Sequence, residues 1–588
     1  MSPSVDNLKK AAKRWLKALR AGDADARARF DRAWPDGPSS PVLRDVQHAL
    51  AREHGHENWL ALTRSSPVDD YLLAVNDRDA AALARLNAHY DRAFSFDDVV
   101  ADARRRSYSY RQRLAHSDDK QLKREEAESL VAQDVGYGVA FTVDADERRI
   151  TPARHLRAAD WQQLIGTIRE QRLSRVDAGG RMTDEALREL ADADAVIDLD
   201  LSGSRALTAD GLRALARMPQ LECLNLTGVQ VTDAALAVLR HLPKLREFAM
   251  TWTRGATDAG LAHLSSCDRL ERVNVMGTMT GDGVIAAVEG MPRLHTLHTG
   301  RLATDEGLAR LPACPVLATV LVDGPFTNDG LAHVARIQHL RDLELFWNAT
   351  NITPQGLRHL VDVTTLERIG ADGPISDNVA MAFYARMPAL RRLKIQETPA
   401  TDEGFVALAR SSTLEDLWTG RDEIAMSDRG FAALCGITTL RTLGVSAKHV
   451  SDHALAHLAN VAGLRELTPI DFTDEGFRHI ARCASLEHLS CMYCRQSTDR
   501  STEYIEPLTL RSYYAGGTQI TDRSLEIMGR MRSFETIEFY ETRDVTDAGM
   551  VSLATLPRLK EIVVSHMPRV TYAGMGVFAP DVRVRYTN

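Results

Sequence analysis

The stretch Val231–Met250, "VTDAALAVLRHLPKLREFAM", changes its apolar period part-way along. Thr232 can cap a helix, Asp233 sits in the first turn where the dipole favours an acid, and Leu236 and Leu239 begin an apolar face. After Leu245 the apolar residues fall at Phe248 and Met250, a spacing of three and then two, which predicts a short strand entered from a bend. The stretch reads as a cap, a helix, a turn and a strand.

The phrase recurs as "TDAGLAHL" (from Thr257), "TDEGLARL" (Thr304), "TNDGLAHV" (Thr327), "TDEGFVAL" (Thr401), "SDRGFAAL" (Ser427), "SDHALAHL" (Ser451), "TDEGFRHI" (Thr473), "TDRSLEIM" (Thr521) and "TDAGMVSL" (Thr546). Weaker copies begin at Thr183, Thr208, Thr280, Thr353, Ser376, Thr498 and Thr571, giving about 17 units about 24 residues apart. Most close on a strand phrase such as "LECLNL", "LERVNV", "LRDLEL" or "LKEIVV". In each unit the hydroxyl serves an orphan amide, the acid complements the dipole, and a Gly one turn in allows packed helices to approach. No unit can bury its face alone, so stacking produces a solenoid with a parallel sheet on the concave side and helices on the convex side.

The combined "TDxGLxxL…LxxLxL" phrase resembles the leucine-rich repeat family, and within it the bacterial and F-box-associated repeats that carry a full helix on the convex face. The resemblance runs from about Glu170 to the C-terminus. It implies an α/β fold, a leucine-rich repeat solenoid, and a binding architecture shared by proteins with different partners. The units read Gly-Leu-Ala where secreted effectors that mimic F-box receptors carry Gly-Ala-Leu-Ala, and no F-box motif precedes the array.

Residues 1–170 differ: rich in Ala, Arg and Asp, they predict an all-α module, with the array at 171–588. A diverged duplication, about 1–65 and 66–150, is suggested where "KRWLKALRAGDADARARFDRAW" (from Lys13) echoes "DDYLLAVNDRDAAALARLNAHYDRAF" (from Asp69), and "DVQHALAREHGHENWLAL" (from Asp45) echoes "EAESLVAQDVGYGVAFTV" (Glu126 to Val143). The "ALAREHGHENWLAL" phrase resembles a helical segment found ahead of repeat arrays in bacterial proteins. Pro35–Pro41 reads as a loop, and the basic stretch Arg104–Glu126 as a solvated helix or loop. Lys9, Lys10, Lys13, Arg14, Lys17 and Arg20 read as a solvated helix face because Trp15, Leu16 and Leu19 interleave with them.

The 588 residues are 44% hydrophobic and 26% charged, with a net charge of -8 that argues against a general nucleic-acid binder. No apolar run is long enough to span a membrane and no secretory signal is visible, so a cytoplasmic protein is expected. Seven scattered cysteines fit a reducing compartment. Cys491 and Cys494, near Cys483 and His488, form a Cys-x-x-Cys, but Cys491 fills the last apolar slot of its strand, and Cys267, Cys314 and Cys483 share one slot after their helices. Cys494 alone has no evident slot. His453, His457 and His479 near Glu475 have helical spacing that suits a metal, but as residues of convex helices they read as solvated. There is no phosphate loop or nucleophile elbow, and the many Asp residues are accounted for by helix starts. No catalytic, metal or cofactor site is expected, and the chain is read as a non-enzyme.

A partner is expected on the concave face, where the residues between the strand leucines point outward. That column holds Trp418 and Tyr514, flanked by Phe346 and Tyr540, with acids at Asp323, Asp342, Glu344, Asp372, Asp416 and Glu538, interrupted by Arg392 and Lys394. Aromatics of this kind anchor interfaces, although they also fill gaps beside small residues such as Gly370 and Gly444. The expected function is a non-catalytic protein-protein interaction scaffold binding a protein or peptide there. The alternative is an adaptor or effector whose repeats receive a substrate, ubiquitin-ligase-like, while the N-terminal module recruits or carries an activity. The closing "PDVRVRYTN" predicts a final strand whose Arg583 and Arg585 charge the open sheet edge, hence a monomer.

Overall fold

The computed structural model describes residues 5–35, 37–38, 41–53, 83–84, 141–152, 158–345, 349–419, 425–571, 574–579 and 581–587. The chain divides into two compact units, Met1–Ala140 and Phe141–Asn588. The first contains helices α1 (Val5–Arg20), α2 (Ala24–Ala33) and α3 (Leu43–Glu53). They bury Ala12, Trp15, Leu16, Phe30, Val46 and Leu50, and Trp15 Nε1 donates to the Ala26 carbonyl at 3.0 Å. Lys13, Arg14, Lys17 and Arg20 lie exposed on the opposite side of α1, so the basic cluster is a solvated face where it is described. The expected second copy from Asp69 and the basic stretch Arg104–Glu126 fall almost wholly outside the described residues.

The second unit is a sheet of 20 strands among the described residues, nearly all parallel and paired in chain order. It starts earlier than the boundary expected at 170. Phe141–Asp144 forms an antiparallel hairpin with Arg149–Pro152, and the latter pairs in parallel with Arg175–Asp177. The Phe141–Val143 end of the segment read as helical is therefore strand, and Ile150 of its partner strand joins the repeat core.

In the stretch from Val231, Thr232 caps Asp233–Leu236, the turn tightens into a 3-10 helix over Ala237–His241, and Glu247–Ala249 is the strand. Leu236, Leu239, Leu242, Leu245, Phe248 and Met250 are all buried. The last turn closes with the tighter bonds of a 3-10 helix, as helix ends commonly do. Two starts lie one residue later than expected, at Gly281 and Asp377. Thr280 and Ser376 are instead buried, Thr280 bonded to Thr278 at 2.7 Å and Ser376 donating to the Ala371 carbonyl at 2.6 Å.

The acid after each cap does more than complement the dipole. Asp233 accepts from both the backbone N and the hydroxyl of Thr257 in the next unit, each at 2.7 Å. The same pair of bonds joins Asp184 to Thr208, Asp402 to Ser427, Asp522 to Thr546 and Asp547 to Thr571. The Gly of the phrase makes room for that acid: a Cβ on Gly260 would stand 2.5 Å from Asp233 Oδ1. Burial raises the Asp233 pKa, but the bonds from Thr257 outweigh it and leave the carboxyl below its ordinary value; the same holds for Asp184, Asp402 and Asp499.

Candidate partner-binding surface

The outward side chains of the sheet lie in register. Asp342, Arg368, Arg392 and Asp416 occupy one row across four neighbouring strands, and Glu344, Gly370, Lys394 and Trp418 the next. This first patch is largely satisfied within itself. Lys394 Nζ lies 3.8 Å from Glu344, and Asp372 accepts from the backbone N of Gln396 at 2.8 Å. The Trp418 ring covers Gly444 so closely that a Cβ there would meet it at 2.7 Å. Burial raises the pKa of Asp416, which Arg392 opposes and Glu466 reinforces. Asp323, expected in the acidic surround, is fully buried beyond the end of its strand, where its backbone N donates to Thr299 Oγ1 at 2.9 Å. Phe346 lies outside the described residues.

Tyr514, Glu538 and Tyr540 form a second patch. Four strand steps separate Tyr514 from Trp418, about 19 Å at ordinary strand spacing. The expected residues thus lie along one sheet in two groups, with three strands between them. Tyr514, Glu538 and Tyr540 are half-buried. Tyr514 pairs in register with Glu538, and its ring leans along its own strand, 2.7 Å from where a Cβ of Gly516 would stand. Tyr540 and His566 meet edge to face with ring centroids 4.9 Å apart. Burial raises the Tyr514 phenol, and Glu538, Tyr493, Tyr540 and Glu541 push it further. Burial also raises Glu538, with Glu561 adding and Arg585 opposing.

Two members of this patch, Tyr493 and His566, were not anticipated. Both sit two residues past the last apolar strand position with left-handed φ, 52° and 56°. Gly203, Gly228, Gly277 and Gly517 occupy the same slot in other units, as their positive φ favours. Trp252 is a third aromatic in this column, 48% exposed, with the Arg301 guanidinium 5.0 Å from its ring. Glu397, Asp471 and Glu541 hold the slot in further units, so the sequence signal that could have found them was an aromatic ring where other units carry Gly or an acid.

The cysteines and histidines also settle into place. Cys491 is fully buried in its strand slot. Cys494, which had no evident slot, has one: it shares the buried position of Ser204, Thr253, Thr278 and Thr542, three residues past the last strand apolar. Its thiol donates to the Pro469 carbonyl at 3.4 Å, and burial pushes its pKa up to about 12. His479 is not solvated but 7% exposed, because its side of the helix faces His453 of the preceding unit.

No family model matches the chain, and no curated protein matches it. Among solved structures it is similar to TLR13 in a complex with ssRNA13, at 14% identity and a TM-score of 0.50 over 76% of this chain and 67% of that one. It is also similar to an internalin of Listeria monocytogenes (18% identity, TM-score 0.31, 68% and 94% covered) and to Rad7 in a yeast complex with Elc1 (15% identity, TM-score 0.32, 73% and 88% covered). These are leucine-rich repeat structures, and the likeness is one of fold. The chain is an α/β leucine-rich repeat solenoid preceded by helices.

Proposed function

We propose that the array is a non-catalytic interaction scaffold whose concave sheet binds a protein or peptide through Tyr493, Tyr514, Tyr540 and His566. The observation that carries this is the placement of Tyr493 and His566 in left-handed backbone beside two half-buried tyrosines. The slot takes left-handed backbone in unit after unit, so what singles out Tyr493 and His566 is the aromatic ring that each sets beside the two tyrosines. Glu538 and Glu541 flank the rings, so the partner segment is basic, its cations seated against tyrosine faces and carboxylates. Asp342, Glu344, Arg392, Lys394, Asp416 and Trp418 form a secondary contact, since Lys394 already lies against Glu344 and the Trp418 ring against Gly444.

The test compares partners captured by the full chain with those captured by Tyr514→Ala and Tyr540→Ala variants. A partner lost from both, with the melting temperature within a few degrees of the parent, supports the reading. Undiminished capture, or a collapse of stability, overturns it. The narrower class, bacterial and F-box-associated, and a recruiting role for the helical unit rest on the Thr-Asp-x-Gly-Leu phrase. A ligase component retained by the full chain but lost when α1–α3 are removed would support that role. Placement in the cytoplasm stays part of the proposal; among the described residues no helix is long and apolar enough to cross a membrane.

A further inference from the structure

We propose that His453, Glu475 and His479 form a binding site for a zinc-class divalent cation on the helical side of the array. The three come from adjacent units. His453 belongs to the 3-10 helix Asp452–Asn460, while Glu475 and His479 stand four residues apart on Asp474–Ile480. Their mutual placement is fixed by the repeat itself, because Asp452 accepts from the backbone N of Thr473 at 3.0 Å and from its hydroxyl at 2.8 Å.

One donor atom from each residue lies within 4.8 Å of the other two. Glu475 Oε1 is 3.5 Å from His479 Nε2 and 4.0 Å from His453 Nδ1. Ligands about 2.0–2.1 Å from a tetrahedral zinc stand roughly 3.3 Å apart. A small rotation therefore closes the set, and His453, with its side chain 79% exposed, is free to make it. Two imidazoles and one carboxylate suit zinc and its first-row neighbours, with a coordination position left for water.

His479 supplies the independent argument. It is 7% exposed, and neither ring nitrogen has a hydrogen-bond partner. A buried polar group is costly to leave unsatisfied, and a bound cation at Nε2 would satisfy it. Arg478 pairs with Glu475 and is the cation a metal must displace; its side chain is 48% exposed and can withdraw into water. His479 Nδ1 has no supporting acceptor, which sets the affinity about 10–100-fold below that of a fully buttressed site.

The experiment titrates the full chain with Zn²⁺ by calorimetry and with Co²⁺ followed by its visible absorption. One site is expected, weakened about 10-fold or more in His453→Ala and in Glu475→Gln, and unchanged in His457→Ala. Neither informative change touches a buried side chain, so both variants should fold. If they bind both metals as the parent does, or if the parent binds neither at millimolar concentration, the assignment is wrong.

Discussion

Asp233 and Gly260 show how single residues hold this array. The carboxylate takes two hydrogen bonds from the following unit, and the glycine is small because that carboxylate lies against it. Asp233→Ala should lower stability by about 1–3 kcal/mol in urea unfolding, since it leaves two donors of Thr257 without their acceptor. Gly260→Ala should cost a comparable amount by overpacking, and the pair together less than the sum, because removing the acid opens the space the methyl needs. The sequence carries its own precedents. Ala209 and Pro354 stand where the ladder acid would be, and the units after them place Ala235 and Ala380 in the glycine slot. Ala454 departs from this, following Asp428 in a unit whose turn is wholly 3-10. The ladder also sets a pH dependence. With folded pKa values below the unfolded value of about 3.9, the unfolded chain binds protons first, so stability holds above that pH and is lost as pH falls through the folded values. Urea midpoints should be level near neutrality and drop steeply below about pH 4.

At the scale of the strand, a row of alternating charge runs along the sheet just before each strand. Arg246 reaches Glu222 at 3.2 Å and Glu271 at 2.9 Å, and Arg341 reaches Glu367 at 2.9 Å. Arg391 pairs with Glu415, and Arg511 stands between Glu487 at 3.6 Å and Glu535 at 2.8 Å, with Lys560 following at 2.6 Å from Glu535. Each exposed pair contributes at most about 1 kcal/mol, but a chain of shared partners holds several side chains at once. Arg511→Glu would set three acids in a row and should lower the urea midpoint at low ionic strength, and lower it less in high salt. The alternation was present in the sequence one residue after the first apolar residue of most strand phrases, broken at Ala318 and at Arg441 and Arg465. It passes unnoticed in single units because a sign pattern emerges only when units are aligned on their strands. The aromatic column at Trp252, Tyr493 and His566 was hidden likewise, its meaning depending on the glycines of other units.

Across the whole array, the sheet ends at Arg583–Thr587, paired in parallel with Glu561–Ser565, and Arg585 lies 2.8 Å from Glu561. Arg583 and Arg585 are exposed on this outer strand, so the array should remain monomeric in light scattering, and Arg583→Ala with Arg585→Ala should promote concentration-dependent association. What the sequence determined by itself was the repeat: caps, buried helix positions and strand leucines are local patterns, and their period dictates a stacked solenoid whatever the partner. Only the tertiary structure decided which outward residues meet. It set the expected residues in two groups along the sheet, because strands add at a fixed spacing and three of them intervene between Trp418 and Tyr514. It also placed Asp323 and His479 in the interior, because burial depends on the neighbouring unit, which the residues of one repeat do not encode.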